Sequence, residues 1–225
     1  MNFTPKNFNK ALKKIGIKKN DNLFIHSDLG LLKEYKNKNE INKTCDVILK
    51  EFLKTVGKNG NLAFPTFTYS FANKKRYYPR NSKSICGYLS EYVKNMKSSA
   101  LYKDPNVSVV VLGNNKDFLT QNCSINSYGK NSFFNRFYEL NGQICNINMD
   151  SASTFIHLFE RKLCVKYRID KNFYGFIANS KKKIKSKIFV IKKNKKYSVD
   201  FSRFHNEANK YYKVSNIGRG FVGKI

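Results

Sequence analysis

NLFIHSDLG, Asn22 to Gly30, is followed by INKTCDVILKEFLKTVG, Ile41 to Gly57, and then by GNLAFPTFTYSF, Gly60 to Phe71. The first is a short apolar run that passes into a polar turn, as a buried strand does at its end. The second places its apolar residues at helical spacing and closes on a glycine, the usual stop for a helix. The third reads as a second buried strand, stopped by Pro65, which has no N–H to give to a sheet. Strand, helix and strand in that order are the repeat from which an α/β sheet is built.

The same alternation extends in both directions. Upstream, TPKNFNKALKKIG (4–16) predicts a helix with Thr4 as its cap, Pro5 in its first turn and Gly16 as its stop. Downstream, CGYLSEYVKNM (86–96) reads as a helix, SVVVLG (108–113) as a buried strand and SFFNRFYELNG (132–142) as a helix closed by Asn141-Gly142. QICNIN (143–148) reads as a strand, and STFIHLFER (153–161) as a helix. Helices are therefore expected against both sides of one sheet. Toward the C-terminus CVKYRI, KNFYGFIA and KIFVIKKNKKYSVDF (187–201) read as extra short strands, ahead of a helix at SRFHNEANKYY (202–212). With no internal repeat and no linker, residues 1–225 are expected to form a single domain.

An apolar fraction of 41% and an aromatic fraction of 15% belong to a folded chain rather than a disordered one. Five scattered cysteines, odd in number and never in a CxxC pair, argue against structural zinc and a disulfide framework and suit a reducing compartment. The N-terminal segment has no apolar signal core, and no apolar run is long enough to span a bilayer. A cytoplasmic protein without metal is the expectation.

Charge is the loudest feature: 43 Lys and Arg against 15 Asp and Glu, a formal net charge of +28. Such a surface attracts nucleic acid, acidic membranes or phosphorylated small molecules. The lysines are spread along the whole length, however, together with many Asn, Ile, Tyr and Phe. That joint bias also arises from a compositionally skewed, A/T-rich genome. The densest run, Asn179 to Lys196, reads as a basic hairpin. Nucleic acid is disfavoured as a partner, because the aromatics lie within apolar strands and helices and no RNP, KH or zinc-finger pattern is present.

The common nucleotide-binding signatures are absent: there is no GxxxxGK[ST] and no GxGxxG after the first strand. The glycine-rich tail NIGRGFVGKI (216–225) has no helix after it to receive a phosphate. HExxH, GxSxG and paired cysteines are missing too. What remains is His157, three residues before Glu160 and on the same helical face. Histidine suits removal of a proton from an ammonium near neutral pH, and a carboxylate beside it fixes its tautomer. A lone helical histidine is more often a structural residue than a catalyst, and spacing alone does not choose.

Four motifs in fixed order tip that balance: FIHSDLGLL, GNLAFPTFTYSF, SSALYKDPNVSVVVLG and STFIHLFER. Together they resemble the aminoglycoside 3-N-acetyltransferase family, from about residue 9 onward. Thr154, His157 and Glu160 fill its T-x-x-H-x-x-E pattern, and His26, Ser27 and Leu29 its H-x-S-L. Pro65 to Thr68 fill its PTFT strand end, Ser84 and Gly87 a helix start, and Gly129 with Ser132 its G-x-x-S. VKYRIDKNFYGF, after the histidine helix, is similar to its Y-R-x-x-K-x-F continuation.

The resemblance implies an α/β/α sandwich distinct from the GNAT acetyltransferase fold, with acetyl-CoA as donor and a sugar amine as acceptor. It implies direct attack of the amine on the thioester, with His157 and Glu160 removing the proton. It places His26, Ser27, Asp28, Leu29, Gly30, Leu31, Ser84, Gly87 and Ser108 toward CoA, although His26 at its strand end also reads as a structural hydrogen-bonding residue. Thr66, Thr68, Tyr69 and Thr154 fall toward the acceptor.

The chain departs from the pattern at SALYKDPNVS, where Asp104 stands in place of a histidine found in antibiotic-modifying members and the motif's arginine is absent. Asp104 reads either as a third catalytic group, holding an ammonium or orienting His157, or as a turn cap before Pro105. A polycationic aminoglycoside would also be repelled by this surface, whereas an amino sugar on a nucleotide diphosphate would be drawn in. The expected acceptor is therefore such a nucleotide-linked amino sugar, for surface-polysaccharide or glycan assembly, with a homodimer left open.

Overall fold

The computed structural model describes residues 3–30, 32, 34–192 and 202–225. Helix α1 (Pro5–Lys14) begins where the Thr4 hydroxyl accepts from the Asn7 N–H at 3.2 Å, and ends before Gly16 at φ 81°. Strand β1 (Asn22–Ser27) follows, then α2 (Lys38–Val56), which the Asn37 side chain caps and Gly57 ends at φ 70°. Then come β2 (Asn61–Pro65), α3 (Tyr88–Lys94), β3 (Ala100–Tyr102), β4 (Val109–Gly113), α4 (Lys116–Thr120), α5 (Phe133–Glu139) and β5 (Gln143–Ile147). The chain continues with α6 (Ile156–Lys162), β6 (Arg168–Gly175), β7 (Ile184–Ile191), α7 (Ser202–Tyr211), β8 (Lys213–Ile217) and β9 (Gly220–Lys224).

Seven strands form a mixed sheet in the order β3-β4-β2-β1-β5-β9-β8. β1 lies at its centre, parallel to β2 on one side and to β5 on the other. Alternation along the strands separates two cores. Leu23, Ile25, Leu62, Phe64, Val110 and Leu112 face α1, α2 and α3, against Leu12, Phe52 and Leu89. Phe24, Ala63, Val109 and Val111 face the other way, against Phe133, Phe134 and Phe137 of α5, Leu158 of α6 and Ile188 of β7. Phe24 packs against four other phenylalanine rings, those of Phe133, Phe134, Phe137 and Phe155, at centroid distances of 5.8 to 6.1 Å. Each such pair adds about 0.5–1.5 kcal/mol to area burial. The result is the α/β/α sandwich expected.

The C-terminal part differs from the sequence reading in detail. The two segments around residues 168–175 join into one strand, paired along eight residues with β7. The lysines of 181–183 are thus the connection between these strands, not one arm of a hairpin within the basic run; Lys193 to Phe201 lie outside the described residues. The glycine-rich tail is structural: β8 and β9 pair across a two-residue turn at Gly218-Arg219, with Gly218 at φ 85°, and β9 docks antiparallel on β5. The tail thereby extends the central sheet.

Candidate functional site

In an open α/β sheet, ligands bind beyond the carboxyl ends of the parallel strands, where successive crossovers leave to opposite faces. β1 is that point here: α2 leaves it on the first face to reach β2, while β5, on its other side, is preceded by α5 on the second face. The segments leaving β1, β2 and β5 converge there on a cleft of about 610 Å³. Its walls come from His26 to Gly30 at the end of β1 and just beyond it, Phe67 and Tyr69 after β2, Ile85 to Tyr88 at the start of α3, and Met149 and Thr154 after β5.

Local bonds hold these walls. The Asp28 carboxylate accepts from the Gly30 N–H at 2.9 Å, and the Asn148 amide donates to the Asp28 carbonyl at 2.7 Å. Asn148 in turn accepts from the Phe221 N–H at 2.7 Å, so the C-terminal hairpin holds the β1 turn in place. Gly87 has φ 87°, and a Cβ there would lie 3.2 Å from the Ser27 carbonyl, so glycine meets both the backbone and the space. Two hydroxyls on the cleft are buried with no hydrogen-bond partner: Ser27 Oγ and Thr154 Oγ1. Buried polar groups are rarely left unpaired, and both suit a ligand that brings its own acceptor or donor.

His26 ends its side chain on the same cleft. Its Nε2 lies 3.0 Å from Ser153 Oγ, its ring stands edge-on to Phe24, and burial lowers it to about 4, so it is neutral at ordinary pH. The His26–Ser153 contact ties the end of β1 to the turn that carries Thr154.

α6 is shorter than the motif it carries. Ser153 to Phe155 form a lead-in turn, with the His157 N–H donating to the Thr154 carbonyl at 3.2 Å, and the helix proper begins at Ile156. His157 therefore lies one turn beyond the cleft-lining Thr154. Its Nδ1 is 2.5 Å from Glu160 Oε2, and the edge of Tyr128 packs on its ring. With Nδ1 committed, Nε2 is the nitrogen left for a substrate; the side chain is 21% exposed and Glu160 only 4%.

After α6 the chain turns back sharply. Val165 N–H donates to the Glu160 carbonyl and Cys164 N–H to that of Arg161, with Cys164 at φ 49°. This double closure at a helix C-terminus usually has glycine at the left-handed position. It returns Tyr167 and Arg168 to Glu160: the Tyr167 hydroxyl donates to Oε1 at 2.6 Å and Arg168 Nε sits 2.7 Å from Oε2. Burial alone would raise Glu160, but the hydrogen bonds of His157 and Tyr167 and the charges of His157 and Arg168 outweigh it. The carboxyl is held at about 2.

The structure thus gathers His26, Ser27, Asp28, Leu29, Gly30, Gly87, Tyr69 and Thr154 on one cleft and joins His157 to Glu160. Leu31 lies outside the described residues. Four of the other expected site residues are turned inward. Thr66 and Ser108 are fully buried against each other, the Ser108 hydroxyl donating to the Thr66 carbonyl at 2.5 Å and accepting from its hydroxyl at 3.1 Å. Thr68 bonds Ser70 and the Pro105 carbonyl. Ser84 accepts from the Cys86 N–H at 2.9 Å and holds the lead-in to α3 rather than a wall of the cleft. The sequence reading passed over Tyr167, Arg168, Tyr128 and Met149. Tyr167 and Arg168 stand in the motif after the helix, which is the signal that pointed to them.

Asp104 is also corrected in place, to the turn cap. It is fully buried; Oδ1 accepts from the Asn106 and Val107 N–H groups at 2.8 and 3.1 Å, and Oδ2 from Ser127 at 2.8 Å and Tyr102 at 3.3 Å. Every favourable acceptor direction is occupied within the fold. Burial raises it to about 6 although these four bonds oppose that. A carboxyl raised in the folded state stabilises fully below its unfolded value, and this is lost as pH rises through the folded value. Between pH 4.5 and 6.5 the buried neutral His26, lowered to about 4, contributes the opposite slope, so removing the Asp104 contribution in Asp104→Asn is expected to make stability rise more steeply with pH than in the wild type. Urea unfolding at half-unit steps measures it; equal slopes in both proteins would refute the assignment.

A family model described as aminoglycoside 3-N-acetyltransferase matches residues 24–223. Comparison with curated protein sequences finds no match. Among solved structures, AAC-IIIb in its binary complex with CoASH superposes with a TM-score of 0.79 at 15% identity, over 99% of this chain and 91% of that one. YokD from Bacillus subtilis gives 0.78 at 16%, over 99% and 93%, and AAC-VIa bound to sisomicin gives 0.79 at 13%, over 100% and 93%. At these identities the likeness is one of fold.

Proposed function

The chain belongs to the aminoglycoside 3-N-acetyltransferase family, and from that premise we propose how this acetyl-CoA-dependent N-acetyltransferase works and on what. His157 is the general base, and the acceptor is the amine of an amino sugar carried on a nucleotide diphosphate, of the kind used in surface-polysaccharide or glycan assembly. The observation that carries the base is the joined pair, His157 Nδ1 2.5 Å from Glu160 one turn from the cleft. Glu160 fixes the ring so that Nε2 takes the proton of the acceptor ammonium. The freed amine attacks the thioester carbonyl, the C–S bond breaks, and the CoA thiolate leaves as the thiol, taking up the second proton that the acylated nitrogen gives up. The unpartnered Thr154 hydroxyl supports a donor to the oxyanion formed on that carbonyl.

The cleft fits the donor in its chemistry. Leu29, Ile85, Cys86 and Met149 offer apolar wall to the pantetheine arm, Gly30 and Gly87 leave room for it, and Ser27 Oγ offers a partner to its amides. Among the described residues no group of His, Cys, Asp and Glu is set to hold a metal, and no helix is long and apolar enough to cross a membrane.

The acceptor's charge follows from 43 basic against 15 acidic residues. On the cleft itself Asp28 is the acidic side chain present, which is little for a polycation to meet. A nucleotide-linked amino sugar is therefore expected to show kcat/KM at least about tenfold above an aminoglycoside such as sisomicin, and to lose rate as salt rises. Thiol release from acetyl-CoA with both acceptors across 25–300 mM salt measures this. Efficient acetylation of the aminoglycoside with none of the nucleotide-linked sugar would favour the second reading, antibiotic acetylation, which rests on the family to which the chain belongs.

A further inference from the structure

Neither Tyr167 nor Arg168 lines the cleft, yet both converge on the carboxylate that holds His157. We propose that Arg168 is a positioning residue which sets the proton affinity of the base, by sharing with His157 the same carboxylate oxygen of Glu160. The inference rests on His157 being the base. Arg168 Nε lies 2.7 Å from Oε2 and His157 Nδ1 2.5 Å from that same atom, while Tyr167 occupies Oε1.

The Arg168 contact is one of charge rather than of directed hydrogen bonding. Its Nε, although within ion-pair distance, finds no hydrogen-bond partner in good geometry, and its Nη1 donates instead to the Phe189 carbonyl of β7 at 3.1 Å. The guanidinium is pinned to the β6–β7 hairpin and held against the carboxylate. A carboxylate facing only an imidazole stabilises the imidazolium strongly. One already balanced by a buried arginine does so less.

Other charged groups around the pair are accounted for. Arg161 of α6 is paired with Asp170 of β6, and Lys187 of β7 lies 3.9 Å from Asp170, so that cluster is satisfied within itself. Tyr128, whose ring edge meets His157, and Tyr69 of the β2–α3 segment are both pushed up by burial and stay neutral. Asp104 stands behind Tyr102 and Ser127, and His26 faces Ser153. Among the described residues, Arg168 is thus the arginine or lysine paired with the Glu160 carboxylate.

The test reads the imidazole directly, without an acceptor. The chain has three histidines, so nitrogen-15 histidine labelling gives three ring signals, and His157→Gln assigns the one of interest. The His157 titration midpoint is expected to rise by about one pH unit in Arg168→Gln, roughly the effect of one neighbouring charge, and to stay in place in Arg168→Lys. Tyr167→Phe, which removes a donor from the other oxygen, is expected to raise it by less and serves should Arg168→Gln fail to fold. A midpoint unchanged in Arg168→Gln, or unchanged in Tyr167→Phe where that variant stands in for it, overturns the proposal; so does one that Arg168→Lys moves as far as Arg168→Gln. Full transfer activity in His157→Ala would sink the assignment of the base instead, and that outcome is independent of the titration.

Discussion

His157→Ala is expected to lower kcat for acetyl transfer by about 100- to 10,000-fold, the usual worth of a general base, with CoA affinity unchanged. The geometry requires the two effects to separate. His157 lies one turn beyond Thr154, and the cleft proposed to hold CoA is walled by other residues, from Ser27 to Gly30 and from Ile85 to Tyr88. Removing the imidazole leaves that wall intact and leaves Glu160 its partners Tyr167 and Arg168, so the fold should survive. Stopped-flow thiol release gives the rate, and calorimetric titration with CoA gives the affinity. A variant that loses CoA binding in proportion to rate would make His157 part of the donor site. One that keeps its rate would leave the dyad structural. Since the base is needed to deprotonate an ammonium, the defect should also shrink with an acceptor whose amine is already largely unprotonated at the assay pH.

What the chain announces of its own fold, and what it does not, has a physical cause. β1, α2 and β2 were legible because each is buried in a way that prints its own period. Leu23, Phe24 and Ile25 are all fully buried since the central strand is covered on both faces. β8 was not legible as a strand of the same sheet: at the edge, Lys213, Val214 and Asn216 are exposed and only Ser215 and Ile217 turn inward. That His157 and Glu160 share a helical face was legible because they are three residues apart; that Glu160 touches the imidazole was not, since spacing does not say which group it meets. At Asp104 the turn cap was one of two readings, because the N–H groups it accepts from belong to Asn106 and Val107 just ahead; what spacing does not encode is Ser127, which comes from a distant segment to occupy the other oxygen. Arg168 reaches Glu160 only through the left-handed Cys164, a position where the sequence shows no glycine to announce the turn.

Glu160→Ala is expected to cost about 3–5 kcal/mol of stability, the penalty for stripping the partner from a buried ion pair, as well as most of the activity. Arg168 is 8% exposed and would keep its charge with no anion beside it, while Tyr167 and His157 would lose their acceptor. For a chain of this length each kcal/mol moves the melting midpoint by about 2–4 °C, so a fall on the order of 10 °C should be seen by calorimetry. The pH dependence gives a second handle. Glu160 is depressed from 4.5 to about 2, so its contribution is present above 4.5 and lost as pH falls toward 2. The alanine variant should lack that acid-side loss. A double variant, Glu160→Leu with Arg168→Met, removes both charges and should recover much of the stability while recovering none of the activity. Recovery of both would mean that the carboxylate serves the fold alone, and that His157 needs no partner to work.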